Sequence, residues 1–304
     1  MKSVFFGTPE FALPTLEALN EYTDLALVVT QEDRKRGRGK KVTPTPVKAR
    51  AQELGIEVFQ PEKVNDEASL EKLRSVEADL FIVVAYGQIL SQDLIDIPKK
   101  YIMNVHSSLL PKYRGAAPMQ WAILNGDETT GVSLMQVEKG LDSGAVYAMR
   151  ETPIGDKNFG AVHDELALLG ADLLKAFIDD LEHGEVAFKP QDDAESTYAP
   201  KIDDALMTLD PFEQTAEEFV RKVRAFSPEP GAHLLLLGER LKVYDALVSN
   251  ESLQAGEFLA TKKKLSIGTR EGSVSIRELQ RPGKKRMPVG SYLAGAHLPE
   301  RGEI

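Results

Sequence analysis

The sequence predicts an α/β protein: a Rossmann-like, mostly parallel, doubly wound sheet, followed by a C-terminal OB-like β-barrel domain. Three observations carry this expectation. The chain opens with a strand-like stretch at 2–6, apolar from Val4, then a Gly7-Thr8-Pro9 turn, a helical stretch to about residue 20 and a second strand-like stretch at 25–30. That is the strand–helix–strand order from which right-handed parallel units are built. Residues 79–85, Asp-Leu-Phe-Ile-Val-Val-Ala, are almost continuously apolar, as suits a strand covered on both faces. Beyond Pro228-Glu229-Pro230-Gly231 the pattern changes to five short strand-like runs, at 232–237, 241–246, 257–261, 265–268 and 274–279, the spacing of a small barrel.

The elements follow in order. Pro9 suits a first helical position, with Thr8 as the expected N-cap. The first turn carries only Gly7, so the Gly-x-Gly-x-x-Gly fingerprint is missing and NAD is discounted. Residues 34–41, Arg-Lys-Arg-Gly-Arg-Gly-Lys-Lys, hold six cations and two glycines; such a run resists burial and reads as an exposed, mobile loop, either a solvated linker or a finger for phosphates. Thr43-Pro44-Thr45-Pro46 leads into a helix at 47–54. A strand at 56–59, a helix at 66–75 and the strand at 79–85 follow, the last ended by Tyr86-Gly87. The strand at 102–106 runs into a Pro-bounded loop, Ser107 to Pro111. Gly115-Ala116-Ala117 leaves room for a ligand to approach the backbone closely, and Pro118 opens a helix at 119–125. Strands at 132–137 and 145–150 flank a loop with Asp142 at its tip between Gly140 and Gly144. An amphipathic helix at 161–183 ends at Gly184, and polar residues from 190 suit a linker. The expected division is 1–189, a linker at 190–204, and 205–304.

Composition narrows the function classes. With 304 residues, 42% of them hydrophobic, the chain has ample core for such an arrangement. No apolar run is long enough to cross a membrane, and the first one is too short for a signal peptide. The absence of Cys excludes thiolate chemistry and leaves the cytoplasm as the expected compartment. Five scattered His give no zinc-type cluster, so no metal is expected. The net charge of −10 argues against a nucleic-acid partner until its distribution is considered. Residues 201–304 hold 16 basic and 15 acidic residues, and the first 200 hold 21 and 32. The basic run at 34–41 therefore stands in an otherwise acidic half.

Chemistry concentrates at 102–111. In an extended strand, alternate residues share a face. Asn104 and His106 thus present an amide and an imidazole side by side at a strand's carboxyl end, where open α/β sheets bind ligands. For an isolated Asn-x-His, a capped turn and a carbonyl-bonded imidazole are the plain alternative. For Asp142, that alternative is a turn bonded to its own backbone. Brought together, the three side chains suit direct acyl transfer to an amine without a covalent intermediate. Amide and imidazolium stabilise an oxyanion, and imidazole and carboxylate manage protons.

The stretch 104–111 (Asn-Val-His-Ser-Ser-Leu-Leu-Pro), with Arg114-Gly115-Ala116-Ala117-Pro118 and Gly140-Leu141-Asp142-Ser143-Gly144, resembles the 10-formyltetrahydrofolate-dependent formyltransferases. The opening Phe6-Gly7-Thr8-Pro9-Glu10-Phe11, Gly37-Arg38-Gly39-Lys40-Lys41 before Pro46-Val47-Lys48, and Val83-Val84-Ala85-Tyr86-Gly87 resemble the branch whose acceptor is methionyl initiator tRNA. The resemblance runs over the whole chain. It implies that Asn104, His106 and Asp142 are catalytic, and that Ser108, Leu109, Leu110 and Pro111 contact the folate, with the pterin near Tyr86 and Gly87. It implies that Arg36, Arg38, Lys40 and Lys41 enter the acceptor arm of the tRNA and that the barrel adds a basic surface. The expected donor is 10-formyltetrahydrofolate and the expected state a monomer. Where that branch carries a Trp, this chain has Leu209-Asp210-Pro211 and, again, Ser227-Pro228-Glu229-Pro230. The alternatives are a formyltransferase for a purine precursor or amino sugar, and a non-catalytic tRNA-binding protein.

Overall fold

The structure, a computed structural model, describes residues 1–36, 41–184 and 186–304. The chain divides into two compact units. One comprises 1–118, 130–152 and 163–199; the other comprises 119–129, 153–162 and 200–304.

The first unit is built on β1 (Lys2–Gly7), α1 (Leu13–Tyr22), β2 (Asp24–Val29), β3 (Arg34–Arg36), β4 (Lys41–Thr43), α2 (Pro46–Glu53), β5 (Val58–Phe59), α3 (Glu67–Ser75), β6 (Leu80–Val84), α4 (Gln92–Ile95), β7 (Tyr101–His106) and β8 (Arg114–Gly115). After α5 (Pro118–Asn125) come β9 (Thr129–Gln136), β10 (Val146–Pro153), α6 (Phe159–His183) and β11 (Tyr198–Ala199). Its sheet has the order β10-β9-β7-β6-β1-β2-β5. From β7 to β5 every pairing is parallel, and β9 lies antiparallel to β7. Both faces are covered, which explains the unbroken apolar β6, buried at all five positions. On one side Val4, Phe6, Phe81, Val83 and Ile102 pack with Leu70 and Leu73 of α3. On the other, Phe177 of α6 meets Tyr101 and Tyr147 with ring centroids 5.9 and 5.2 Å apart.

Two local expectations are corrected, and one helix is added to them. Thr8 is not a helix cap. Its hydroxyl donates to the Tyr86 carbonyl at 2.8 Å, joining the ends of β1 and β6, and the chain enters α1 through a short 3-10 turn at Glu10–Ala12. The basic run is not loop throughout, because its two ends pair as antiparallel β3 and β4. The short helix α4 was not foreseen. Its cap is Ser91, whose hydroxyl accepts from the Leu94 amide.

In the second unit, α7 (Ala216–Ala225) is closed at its start by a capping box between Thr215 and Glu218. The strands are β12 (Ala232–Leu236), β13 (Glu239–Ser249), β14 (Glu257–Ala260), β15 (Leu265–Gly268), β16 (Ser273–Gln280), β17 (Met287–Pro288) and, after α8 (Val289–Leu293), β18 (Arg301–Glu303). They pair antiparallel in the order β12-β13-β16-β15-β14-β18, with β17 also on β16. This is a curled, partly open OB-like sheet. Phe219 and Val223 of α7 share a core with Leu234, Val243, Phe258 and Ile276. Leu209, in one of the two motifs where the resemblance implies a Trp, is 3% exposed in that core.

Candidate active site

Strand alternation continues the side of β7 that carries Ile102 into Asn104 and His106. The parallel neighbour, Val83 beside Asn104, ends one residue later. There Ala85 and Gly87 take φ of 47° and 97° and turn the chain back. Both loops thus leave the sheet at the carboxyl end of its strands.

The His106 imidazole is 6% exposed, and its Nε2 lies 3.0 Å from the Tyr113 carbonyl oxygen. A carbonyl only accepts, so this contact fixes the proton on Nε2 and leaves Nδ1 as the nitrogen that exchanges one. Nδ1 lies 3.7 Å from Asp142 Oδ2, close enough for charge attraction and too long for a hydrogen bond. Asp142 itself sits at φ 48°, a left-handed conformation that Asp tolerates better than most residues. Its Oδ2 accepts the Gly115 amide at 2.8 Å. Asn104 is half-buried and, among the described residues, its side-chain amide has no hydrogen-bond partner. His106 and Asp142 are therefore brought together, and Asn104 stands two residues away on the same strand face.

The loop after β7 is held from beneath. Ser108 Oγ donates to the Lys112 carbonyl at 2.6 Å, and Ser133 Oγ donates to the Ser108 carbonyl while accepting the Leu110 amide. The Leu110 side chain is buried with Met135 and Val146. Side chains of Ser108 and Leu110 serve the fold, and Leu109 and Pro111 are half-exposed. Tyr86 also turns inward. It is 2% exposed against Phe6, its hydroxyl has no partner among the described residues, and burial pushes its phenol pKa up. Gly87 is exposed, and beside it the buried Gln31 Nε2 has no partner among the described residues. The unspent amides of Asn104 and Gln31 fit a ligand with a hydrogen-bonding heterocycle.

Gly115-Ala116-Ala117 makes room for the chain itself. β8 pairs with β11, the Ala199 carbonyl accepts the Ala116 amide at 2.8 Å, and a Cβ on Gly115 would lie 2.8 Å from that same oxygen. Sequence reasoning missed Tyr113, Gln191 and Thr197, and gave Arg114 only as part of a motif; all four surround the site from within this network. No local pattern marks their roles, because each acts on residues distant in the chain.

Of the basic run, Arg38 and Lys40 lie outside the described residues, and Arg36 and Lys41 pair through their backbones. The base of this ribbon is anchored at Asp33, which accepts from Lys48 Nζ at 2.6 Å and from Gln60 Nε2 at 2.8 Å. The Lys48 and Gln60 hydrogen bonds hold its carboxyl below the usual range.

Residues 1–167 match the formyl transferase family, and residues 201–297 match the formyl transferase C-terminal domain. The methionyl-tRNA formyltransferase of Geobacter sulfurreducens is 43% identical, covering 98% of this chain and 95% of its own. That of Citrifermentans bemidjiense is 44% identical, covering 99% and 96%. Among solved structures, HypX from Aquifex aeolicus in complex with tetrahydrofolic acid aligns with a TM-score of 0.65 at 22% identity, over 97% of this chain and 47% of that one. An N-formyltransferase from Helicobacter canadensis, in complex with folinic acid and dTDP-3-aminofucose, aligns with a TM-score of 0.71 at 20% identity, over 92% and 99%. The structural likenesses establish a shared fold, and the full-length identities go further: the chain belongs to the methionyl-tRNA formyltransferase family.

Proposed function

We propose that this chain transfers a formyl group from 10-formyltetrahydrofolate to the α-amino group of methionine carried by initiator tRNA, in the cytoplasm. What carries the reading is similarity across the full length, second unit included, to relatives of that name. In this reading 1–189 supply the chemistry, 190–204 connect, and 205–304 add tRNA contacts. The sugar-acting neighbours share the fold at about half that identity.

The donor supplies an activated formyl carbonyl, held by the loop from Ser108 to Pro111 with the pterin near Tyr86, Gly87 and Gln31. Asn104 donates its amide to the carbonyl oxygen as the amine adds; such a donor contributes about 3–4 kcal/mol of transition-state stabilisation. His106 keeps Nε2 on the Tyr113 carbonyl and turns Nδ1 toward the reacting atoms. The 3.7 Å gap to Asp142 leaves that proton shareable with substrate. Asp142 balances the imidazolium and takes the proton from the attacking nitrogen. As the tetrahedral intermediate collapses and the bond from the formyl carbon to the donor nitrogen breaks, that proton passes to the leaving nitrogen and tetrahydrofolate departs. Arg36, Arg38, Lys40 and Lys41 carry the acceptor arm by phosphate contact. The test is formylation with labelled donor on charged initiator and elongator tRNA. Activity confined to initiator tRNA and lost in His106→Ala supports the reading, and a wild-type rate in that variant sinks it.

A further inference from the structure

We propose that Gln191 is a positioning residue for the catalytic carboxylate, setting where Asp142 points. The inference rests on the reading of Asp142 as catalytic. Gln191 lies 49 residues from Asp142 in sequence, yet its Nε2 donates to the carbonyl oxygens of both Asp142 and Gly144 at 2.8 Å. Its Oε1 accepts from Arg114 Nε at 3.1 Å and from Nη2 at 2.9 Å. Arg114 is 4% exposed, and the same Nη2 also donates to Asp193 Oδ1 at 2.7 Å.

The orientation of this amide follows from chemistry. A guanidinium only donates and a carbonyl only accepts, so the reverse orientation sets two N–H groups against Arg114 and an oxygen against two oxygens. All four hydrogen-bonding positions of the Gln191 side chain are filled. Asp142 is consequently gripped twice from one dipeptide: by the Gly115 amide at its carboxylate, and by Arg114 through Gln191 at its carbonyl. That grip holds a non-glycine residue at φ 48°, a conformation that persists only where its surroundings determine it.

Gln191→Glu separates the two sides of the clamp. It keeps the pair with Arg114 and turns the loop side into oxygen against oxygen. The expected result is a fall in kcat of roughly 10²-fold, the usual consequence of moving a reacting group by about 1 Å. KM for donor and tRNA should stay within about threefold, since neither binding surface is touched. Hydrogen exchange at the Gly115 amide should speed up as its acceptor leaves. In an Asp142→Asn background, Gln191→Glu should cost less than about threefold, because residues acting through one group are not additive. Arg114→Lys, whose single nitrogen cannot reproduce the two-nitrogen grip on Gln191 Oε1, serves if Gln191→Glu fails to fold, with the same non-additivity expected. The proposal is overturned by a kcat within threefold of the parent, or by a loss that multiplies on Asp142→Asn. A parent-like rate in Asp142→Asn alone overturns instead the reading on which it rests.

Discussion

Replacing Gly144 by alanine should disable the chemistry while leaving the protein folded. A Cβ there would lie 2.0 Å from the Gln136 carbonyl oxygen and 2.9 Å from its carbon. Carbon and oxygen sit comfortably at about 3.3 Å, so the two must separate by roughly 1.3 Å. Gln136 ends β9, fixed by pairing with β7, and the loop bearing Asp142 is therefore what moves. A displacement of that size, two residues from Asp142, breaks the 2.8 Å bond to the Gly115 amide and widens the 3.7 Å approach to His106. The expected cost is roughly 10²-fold in kcat, or about 2.7 kcal/mol of transition-state stabilisation, with a loss of about 1–3 kcal/mol in stability from crowding. The assay is steady-state formylation with labelled donor beside a denaturant titration. Gly290→Ala is the control: nothing lies within 4 Å of its Cβ position inside α8, so the rate should hold and stability rise slightly. A kcat for Gly144→Ala within about threefold of the parent would refute the reasoning.

Three further predictions follow from the geometry. Asn104→Ala should lower kcat by roughly 10²–10³-fold, the cost of one oxyanion donor. It should leave the melting temperature unchanged, because its amide bonds to no described residue; an intact rate would remove it from the reaction. Thr45→Ala should destabilise the first unit by about 1–2 kcal/mol, read from the denaturant midpoint. Its hydroxyl caps α2 by accepting the Lys48 amide and also meets the buried Thr30 hydroxyl at 2.8 Å, so an unchanged midpoint would contradict that account. His233 on β12 is 8% exposed, with Nδ1 unpartnered among the described residues. Burial first, then nearby Arg240 and Lys242, hold its pKa below the ordinary value against the pull of Asp204. The unfolded chain then binds the proton more readily, so stability is full above about pH 6.5 and falls as pH drops through that value. Melting of the second unit between pH 7.5 and 5 should show a shallower decline in His233→Gln, and equal slopes would exclude His233 as the cause.

What was legible in the sequence was whatever a local period encodes. The unbroken apolar β6 announced a strand buried on both faces, and the two-residue spacing of Asn104 and His106 placed them on one side of β7. Asp142 between glycines was readable as a loop residue, and its partner was not, because strand geometry says nothing about which loop folds over which strand end. Thr8 misled for a related reason. A hydroxyl one residue before a proline can cap the helix or bond elsewhere, and here the Tyr86 carbonyl, 78 residues away, takes it. Gly115-Ala116-Ala117 announced a close approach correctly, but small residues do not say whether the visitor is a ligand or the chain's own β11. Gln191 gave no signal, because an amide in a polar stretch looks like solvated surface, and Arg114 stood out only as part of a family motif with no role attached until the fold brought both to Asp142.

The stretch from 190 to 199 has a bearing on how such enzymes are cut and recombined. Thr197 and Ala199 hold the backbone from Tyr113 to Ala117, and Gln191 holds the Asp142 turn, although this decapeptide occupies the place of a connector. A fragment ending just ahead of it would keep the proposed reacting side chains and the Gly115 amide on the Asp142 carboxylate, and lose the Gln191 contacts that hold the Asp142 turn. A junction placed inside 190–199 should therefore slow the reaction more than one placed after Ala199.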